Sequence, residues 1–203
     1  MTLGRLHALL AATLLLAASA ARAGTVQVQV HDSAGKPLAD AVVFLESREA
    51  RLAARPARGV TIAQVNKQFH PIVSVVPLGT AVEFPNRDTV RHHVYSFSQI
   101  KPFELKLYAG TPANPVVFDR AGIAVLGCNI HDQMSAWVVV VETPYYAKTA
   151  ANGQALIDGV PPGTYRLRTW HAALPVGAAA ADQPIAVAAA NAALVVPLAE
   201  VGK

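Results

Sequence analysis

The chain contains one cysteine, Cys128, among 203 residues. A lone cysteine cannot form an internal disulfide, so no covalent cross-link holds this fold together. Exported proteins usually pair their cysteines, which leaves three interpretations of an unpaired one. It is a buried inert thiol, a thiol that links two copies, or a metal ligand, and the residues around Cys128 must decide among these.

Charged residues are also scarce, at 15% of the chain. No cluster of Lys and Arg indicates a groove that could follow a phosphate backbone. The 17 basic and 13 acidic residues give a formal net charge of +4, and Arg5 and Arg22 lie in an N-terminal segment that we expect to be removed. The remaining net charge of about +2 is ordinary, so composition argues against a nucleic-acid partner.

The apolar run at the N-terminus is too short for a membrane-spanning helix, which needs roughly 20 residues. It extends from Leu9 to Ala20, follows the positive charge of Arg5 and is followed by Ala21-Arg22-Ala23. This order of features is typical of a secretory signal peptide and its cleavage site. We expect residues 1–23 to be the signal peptide of a periplasmic protein that has no membrane anchor after cleavage.

Short apolar segments separated by turn residues follow, with no long amphipathic helix between them. Residues 26–30 alternate apolar and polar side chains, as a half-buried strand does. Further strands are predicted at 41–45, 72–76, 81–84, 93–97, 115–119, 123–126, 135–141, 165–170, 185–187 and 193–198. Residues 47–60 form a connector with helical character. The pattern predicts an all-β sandwich or barrel.

Three metal-binding side chains follow the predicted strand at 123–126 within seven residues. They are the thiol of Cys128, the imidazole of His131 and the thioether of Met134. Two soft sulfur donors and one imidazole suit copper better than hard cations. Two histidines and a cysteine with a long axial methionine form the blue-copper arrangement, so the loop needs a second histidine from elsewhere.

Residues 71–141 resemble a cupredoxin domain of the plastocyanin and amicyanin kind. The motifs that carry the resemblance are Val82-x-Phe84-x-Asn86 with His92 six residues later, Phe118-x-x-x-Gly122, and Cys128-x-x-His131-x-x-Met134. The resemblance implies a Greek-key β-sandwich that binds one copper ion. It implies His92, Cys128 and His131 as equatorial ligands and Met134 as the axial ligand.

The sequence leaves His93 as an alternative to His92. The spacing from Asn86 favours His92, although Arg91 precedes it where the family often has proline. Strand periodicity places His93 on the more apolar face, together with Tyr95 and Phe97. If that face were the core, His93 would point inward. We predict His92 as the ligand and keep His93 as the rival.

The flanking segments resemble a carboxypeptidase-regulatory-like, or transthyretin-like, β-sandwich. The resemblance rests on Val30-His31-Asp32-Ser33-Ala34-Gly35-Lys36-Pro37 and on the glycine- and proline-rich turns between Gly153 and Leu167. We therefore predict a discontinuous sandwich from residues 24–50 and 145–203. A cupredoxin domain at 60–144 is inserted into it or packed beside it, since insertion at a loop with neighbouring ends is tolerated.

The whole chain is also similar to bacterial proteins labelled methylamine utilization protein, through Arg91–Ser98 and Gly127–Asp132. That label implies a redox partner such as a dehydrogenase or a cytochrome. Four protein ligands leave no open position for a substrate, which favours a one-electron carrier over an enzyme. Copper storage or delivery, and an interaction module with a vestigial site, are the alternatives. His70 and His171 are weaker candidates for a second site.

Overall fold

The computed structural model describes residues 23–188 and 192–202, so residues 1–22 of the expected signal peptide lie outside the described residues. In these two ranges the chain forms 17 strands and one short α-helix. None of the described helical structure is long and apolar enough to cross a membrane. The all-β fold class predicted from the sequence is confirmed.

The strands are short and follow one another closely along the chain. They are β1 Gly24–His31, β2 Val42–Glu46, β3 Val60–Thr61, β4 Ala63–Val65, β5 Gln68–His70, β6 Val73–Pro77, β7 Thr80–Glu83, β8 His92–Ser96, β9 Phe103–Tyr108, β10 Val116–Phe118, β11 Gly122–Gly127, β12 Ser135–Val141, β13 Tyr146–Lys148, β14 Gln154–Val160, β15 Gly163–Trp170, β16 Ala181–Val187 and β17 Ala192–Pro197. The helix α1, Arg48–Ala53, is preceded by the N-cap residue Ser47, whose hydroxyl accepts from the Ala50 N–H.

Strands from the two ends of the chain form one pair of sheets. The first sheet has the order β14-β1-β17, and the second has the order β13-β2-β15-β16. Alternate side chains of β1 point inward, because Val26, Val28 and Val30 are fully buried between polar neighbours. They share one apolar core with Leu45 of β2 and Leu167 of β15, which joins the two sheets into a sandwich.

The middle of the chain forms a second pair of sheets. A five-stranded sheet has the order β6-β12-β11-β8-β9, and it faces a three-stranded sheet of order β10-β7-β3. The chain passes between the two sheets several times, as it does in a Greek-key sandwich. The buried side chains of Phe118 and Val82 from one sheet pack with Leu126 and Val138 from the other. This core holds the candidate metal centre.

The five-stranded sheet is covered on both faces. Along β12, Val138 and Val140 belong to the core of the middle sandwich, whereas Val139 and Val141 pack with Phe44 of β2 in a third apolar cluster. A strand with both faces covered has a continuous apolar sequence rather than an alternating one. The run of four valines at 138–141 follows from this position.

Candidate metal centre

Cys128 lies directly after β11 in a loop whose two ends are held together by the sheet. β11 and β12 pair in antiparallel register up to the Gly127–Ser135 pair, which closes the loop at its base. Within the loop, the Met134 N–H donates to the His131 carbonyl oxygen at 3.0 Å. This turn brings the Met134 side chain back towards the side chains that precede it in the loop. Cys128 and Met134 are 4% and 2% exposed, and both belong to the middle core.

His92 begins β8, a neighbour of β11 in the same sheet, and its side chain is fully buried. Its Nδ1 atom lies 3.8 Å from the Cys128 Sγ atom. The His131 ring lies on the same side, with its centroid 5.0 Å from that of His92. One ligand atom from each of these three residues lies within 4.8 Å of the others, so a single metal ion can contact all three.

The three side chains are suited to bind a soft metal ion, and an unpaired ring nitrogen of His131 supports this interpretation. Its Nδ1 atom is buried and has no hydrogen-bond partner among the described residues. A buried polar atom without a partner costs roughly 1–3 kcal/mol. Coordination of a metal ion would satisfy this atom. A thiolate and two imidazoles, with a thioether on the same loop, form the donor set of a copper site.

His93 points away from this group. Its Nε2 atom lies 2.9 Å from Glu104 Oε1 on the neighbouring strand β9, and its ring meets Tyr95 edge-on. Phe97, on the same face, is 83% exposed. The face with His93 is therefore not the core of the middle sandwich, and the periodicity argument for His93 is wrong. That face is apolar because Tyr95 and Phe97 line a groove of about 1130 Å³ beside the flanking sandwich.

Asp88 is a contact of His92 for which the sequence pattern gives no signal. Its Oδ2 atom lies 2.7 Å from His92 Nε2, on the side of the ring opposite the sulfur. Burial raises the pKa of the Asp88 carboxyl, but hydrogen bonds from the Lys67 N–H, from His92 and from the Asn66 N–H outweigh it, so the pKa is lowered. The carboxylate is therefore charged at neutral pH. Asp88 lies in an Asn-Arg-Asp loop, and Asn and Asp are common in turns. The sequence alone therefore does not mark it as a functional residue.

Aromatic side chains shield the group from solvent. Phe84 is 1% exposed and lies in the same core as Cys128. The Tyr108 hydroxyl donates to the Phe84 carbonyl oxygen at 2.7 Å and accepts from Gln64 Nε2 at 2.5 Å. Burial, partly offset by the Gln64 hydrogen bond and reinforced by the nearby Cys128, raises the pKa of Tyr108 to about 12. The Tyr108 hydroxyl is therefore protonated at neutral pH and remains a hydrogen-bond donor to Phe84.

The two weaker candidates lie outside this group. His70 is exposed on β5, and His171 follows the end of β15. The His171 Nδ1 atom accepts from the Ala173 N–H at 3.1 Å. Burial lowers the pKa of His171, which keeps the imidazole neutral at physiological pH. Neither histidine joins His92, Cys128 and His131 in the group that can hold one metal ion.

No protein-family model and no curated protein sequence matches this chain. Several solved structures are similar to parts of it. A purple cupredoxin from Nitrosopumilus maritimus is 21% identical with a TM-score of 0.37, and the match covers 40% of this chain and 99% of that one. A mutant of amicyanin in its reduced Cu(I) form is 18% identical with a TM-score of 0.38, over 49% of this chain and 98% of that one.

A copper-containing nitrite reductase from Thermus scotoductus SA-01 is 25% identical with a TM-score of 0.38, and the match covers 55% of this chain and 28% of that one. These TM-scores are low, so the assignment of the fold rests on the sheets of this chain itself. Its middle strands form a two-sheet sandwich with Cys128, His131 and Met134 on the loop between β11 and β12. The sequence predicts both the two-sheet sandwich and the position of these three side chains on one loop.

Proposed function

We propose that this protein is a type 1 copper protein that transfers single electrons between redox partners. His92, Cys128 and His131 are the equatorial ligands of one copper ion, and Met134 is the axial ligand. The observation that carries the proposal is the approach of His92 Nδ1 to Cys128 Sγ at 3.8 Å inside an apolar core. Copper bound there would supply a Cu(I)/Cu(II) couple.

The surroundings of the four side chains suit repeated electron transfer. His92 lies on a strand, and Cys128 and Met134 lie on a loop that is anchored at both ends by sheet pairing. Ligands that are held in this way move little when the oxidation state changes. Apolar burial excludes water from the site and, together with contacts to the sulfur, influences the reduction potential. A set of four protein ligands also leaves no open position for a substrate.

The setting of this site is a further part of the proposal. We place the protein in the periplasm, on the basis of the signal-peptide pattern, with a dehydrogenase or a cytochrome as its redox partner. A link to amine oxidation rests on the resemblance alone. The proposed division into a flanking sandwich of residues 24–50 and 145–203 and a cupredoxin domain of residues 60–144 is supported by two apolar cores that share no residue.

The visible spectrum of copper-loaded protein tests the proposal. Wild-type protein should show an intense thiolate-to-copper band and a reversible reduction potential. Cys128→Ala should abolish the band because it removes the sulfur. His92→Ala should abolish it too, while the matched variant His93→Ala should retain it, because His93 contacts Glu104 rather than the metal group.

Three outcomes separate the alternatives. Copper binding without an intense band or a reversible potential would identify a storage or delivery protein. Loss of the band in His93→Ala, with retention in His92→Ala, would show that the assigned histidine is wrong. Absence of any copper binding would leave an interaction module, whose partner should bind equally well whether or not copper is added.

A further inference from the structure

Asp88 lies four residues before His92 in the sequence. It contacts the His92 ring on the side that faces away from the Cys128 sulfur. The His92 Nε2 atom lies 2.7 Å from Asp88 Oδ2, while Nδ1 on the other side of the ring faces the Cys128 sulfur. The His92 side chain is fully buried, and the Asp88 side chain is 12% exposed. The imidazole therefore lies between a carboxylate and a thiol.

The chain is folded so as to hold this carboxylate in place. Asp88 Oδ1 accepts from the Asn66 N–H at 2.6 Å, and Oδ2 accepts from the Lys67 N–H at 2.9 Å. Asn66 and Lys67 both have left-handed φ angles, 54° and 57°, which non-glycine residues rarely adopt. The Asp88 N–H in turn donates to Asn86 Oδ1 at 2.9 Å. A surface loop acid would need none of these contacts.

The contact determines which nitrogen of His92 carries the proton. A charged carboxylate only accepts hydrogen bonds, so Nε2 must donate and Nδ1 is left with a free lone pair. A carboxylate behind a ligand imidazole also makes that imidazole a stronger donor. The negative charge favours the more highly charged copper ion.

We propose that Asp88 is a positioning residue that fixes His92 as an Nδ1 ligand and lowers the reduction potential of the copper site. The inference rests on the proposed copper site, but its first test does not require copper. In apo protein labelled with ¹⁵N, at about pH 8 where histidine is ordinarily neutral, His92 should be a single tautomer protonated at Nε2. Asp88→Ala should give a mixture of both tautomers.

Asp88→Asn separates the hydrogen bond from the charge. Its amide oxygen can still accept from Nε2, so the tautomer should persist, while the reduction potential should rise because the negative charge is lost. Asp88→Ala should weaken Cu(II) binding about 10- to 100-fold, the usual effect of removing such a contact, and Cu(I) binding by less. The control is Asp119→Asn, which removes an exposed acid paired with Lys101 and should change neither property.

Each outcome decides a different claim. A His92 protonated at Nδ1 in wild-type apo protein, or an unaltered tautomer in Asp88→Ala, would overturn the positioning role whether or not copper binds. Equal potentials for wild type and Asp88→Asn would overturn the effect on potential. Absence of a copper band in wild type would refute the proposed function, and the tautomer measurement would still stand. Thermal unfolding of each apo variant shows whether it is folded.

Discussion

Gly127, which lies just before Cys128, is a position where even one added methyl group should destabilise the protein. A Cβ atom at this position would lie 2.6 Å from Cζ and 2.7 Å from the hydroxyl oxygen of Tyr95. Ordinary carbon contacts are about 3.5 Å or longer, so the methyl group of Gly127→Ala would overlap the ring by about 0.9 Å. Because Gly127 and Tyr95 are paired residues of β11 and β8, their backbones cannot separate easily.

We expect Gly127→Ala to destabilise apo protein by about 1–3 kcal/mol, the usual cost of overpacking. A movement of the Tyr95 ring to relieve this overlap would disturb its contact with Phe97, whose ring centroid lies 4.9 Å away. Urea unfolding of the two single variants and of Gly127→Ala with Tyr95→Ala measures the effect. The double variant should be more stable than the sum of the single effects by about 0.5–3 kcal/mol.

Gly163→Ala is the matched control. Its Cβ atom would also face a tyrosine ring, but at an ordinary distance of 3.5 Å from Tyr165. It should be neutral or slightly stabilising, since glycine loses more conformational entropy on folding than alanine does. If Gly127→Ala and Tyr95→Ala were additive within about 0.5 kcal/mol, the steric reasoning would be refuted.

Two further predictions concern the metal loop and its aromatic shield. Met134→Gln should retain copper but lower the reduction potential, because an amide oxygen is a harder donor than a thioether. Voltammetry of the copper-loaded protein measures the potential. An unchanged potential would show that the thioether is not the axial ligand. Folding raises the pKa of Tyr108 to about 12, so the stability it contributes is present below pH 10 and is lost as pH rises from 10 towards 12. A shift of this size corresponds to about 2.7 kcal/mol, which solvent screening of a half-buried ring reduces to about 1 kcal/mol. Urea unfolding at pH 9 and 11.5 should show a smaller loss for Tyr108→Phe than for wild type, and equal losses would contradict the assignment.

The strands with alternating or continuous apolar patterns could be predicted from the sequence, because burial on one or both faces leaves a mark on composition. The predicted strand at 135–141 coincides with β12. β9, Phe103–Tyr108, escapes prediction although its apolar and charged residues alternate. β9 is an edge strand of its sheet, and its Leu107 side chain is 47% exposed. Its alternation therefore does not separate a buried face from an exposed one.

The metal loop could be predicted because its three donor side chains are close in sequence. The choice between His92 and His93 could not be made from periodicity, since Tyr95 of β8 and Phe97 just after it make the outer side of this segment as apolar as its inner side. Both side chains line the groove beside the flanking sandwich, a feature of the tertiary structure that local periodicity does not contain. Asp88 escapes prediction because Asn66 and Lys67, the residues that hold it, are distant in sequence.

The coverage of β12 on both faces has a practical consequence for protein engineering. A fragment cut to residues 60–144 would lose β2 and β15, and Val73, Val139 and Val141 would then face water. Exposed apolar clusters of this kind promote aggregation. A soluble minimal version of the metal-binding sandwich would therefore need polar replacements at these three valines, whereas the side chains on the opposite face of β12 should be left unchanged.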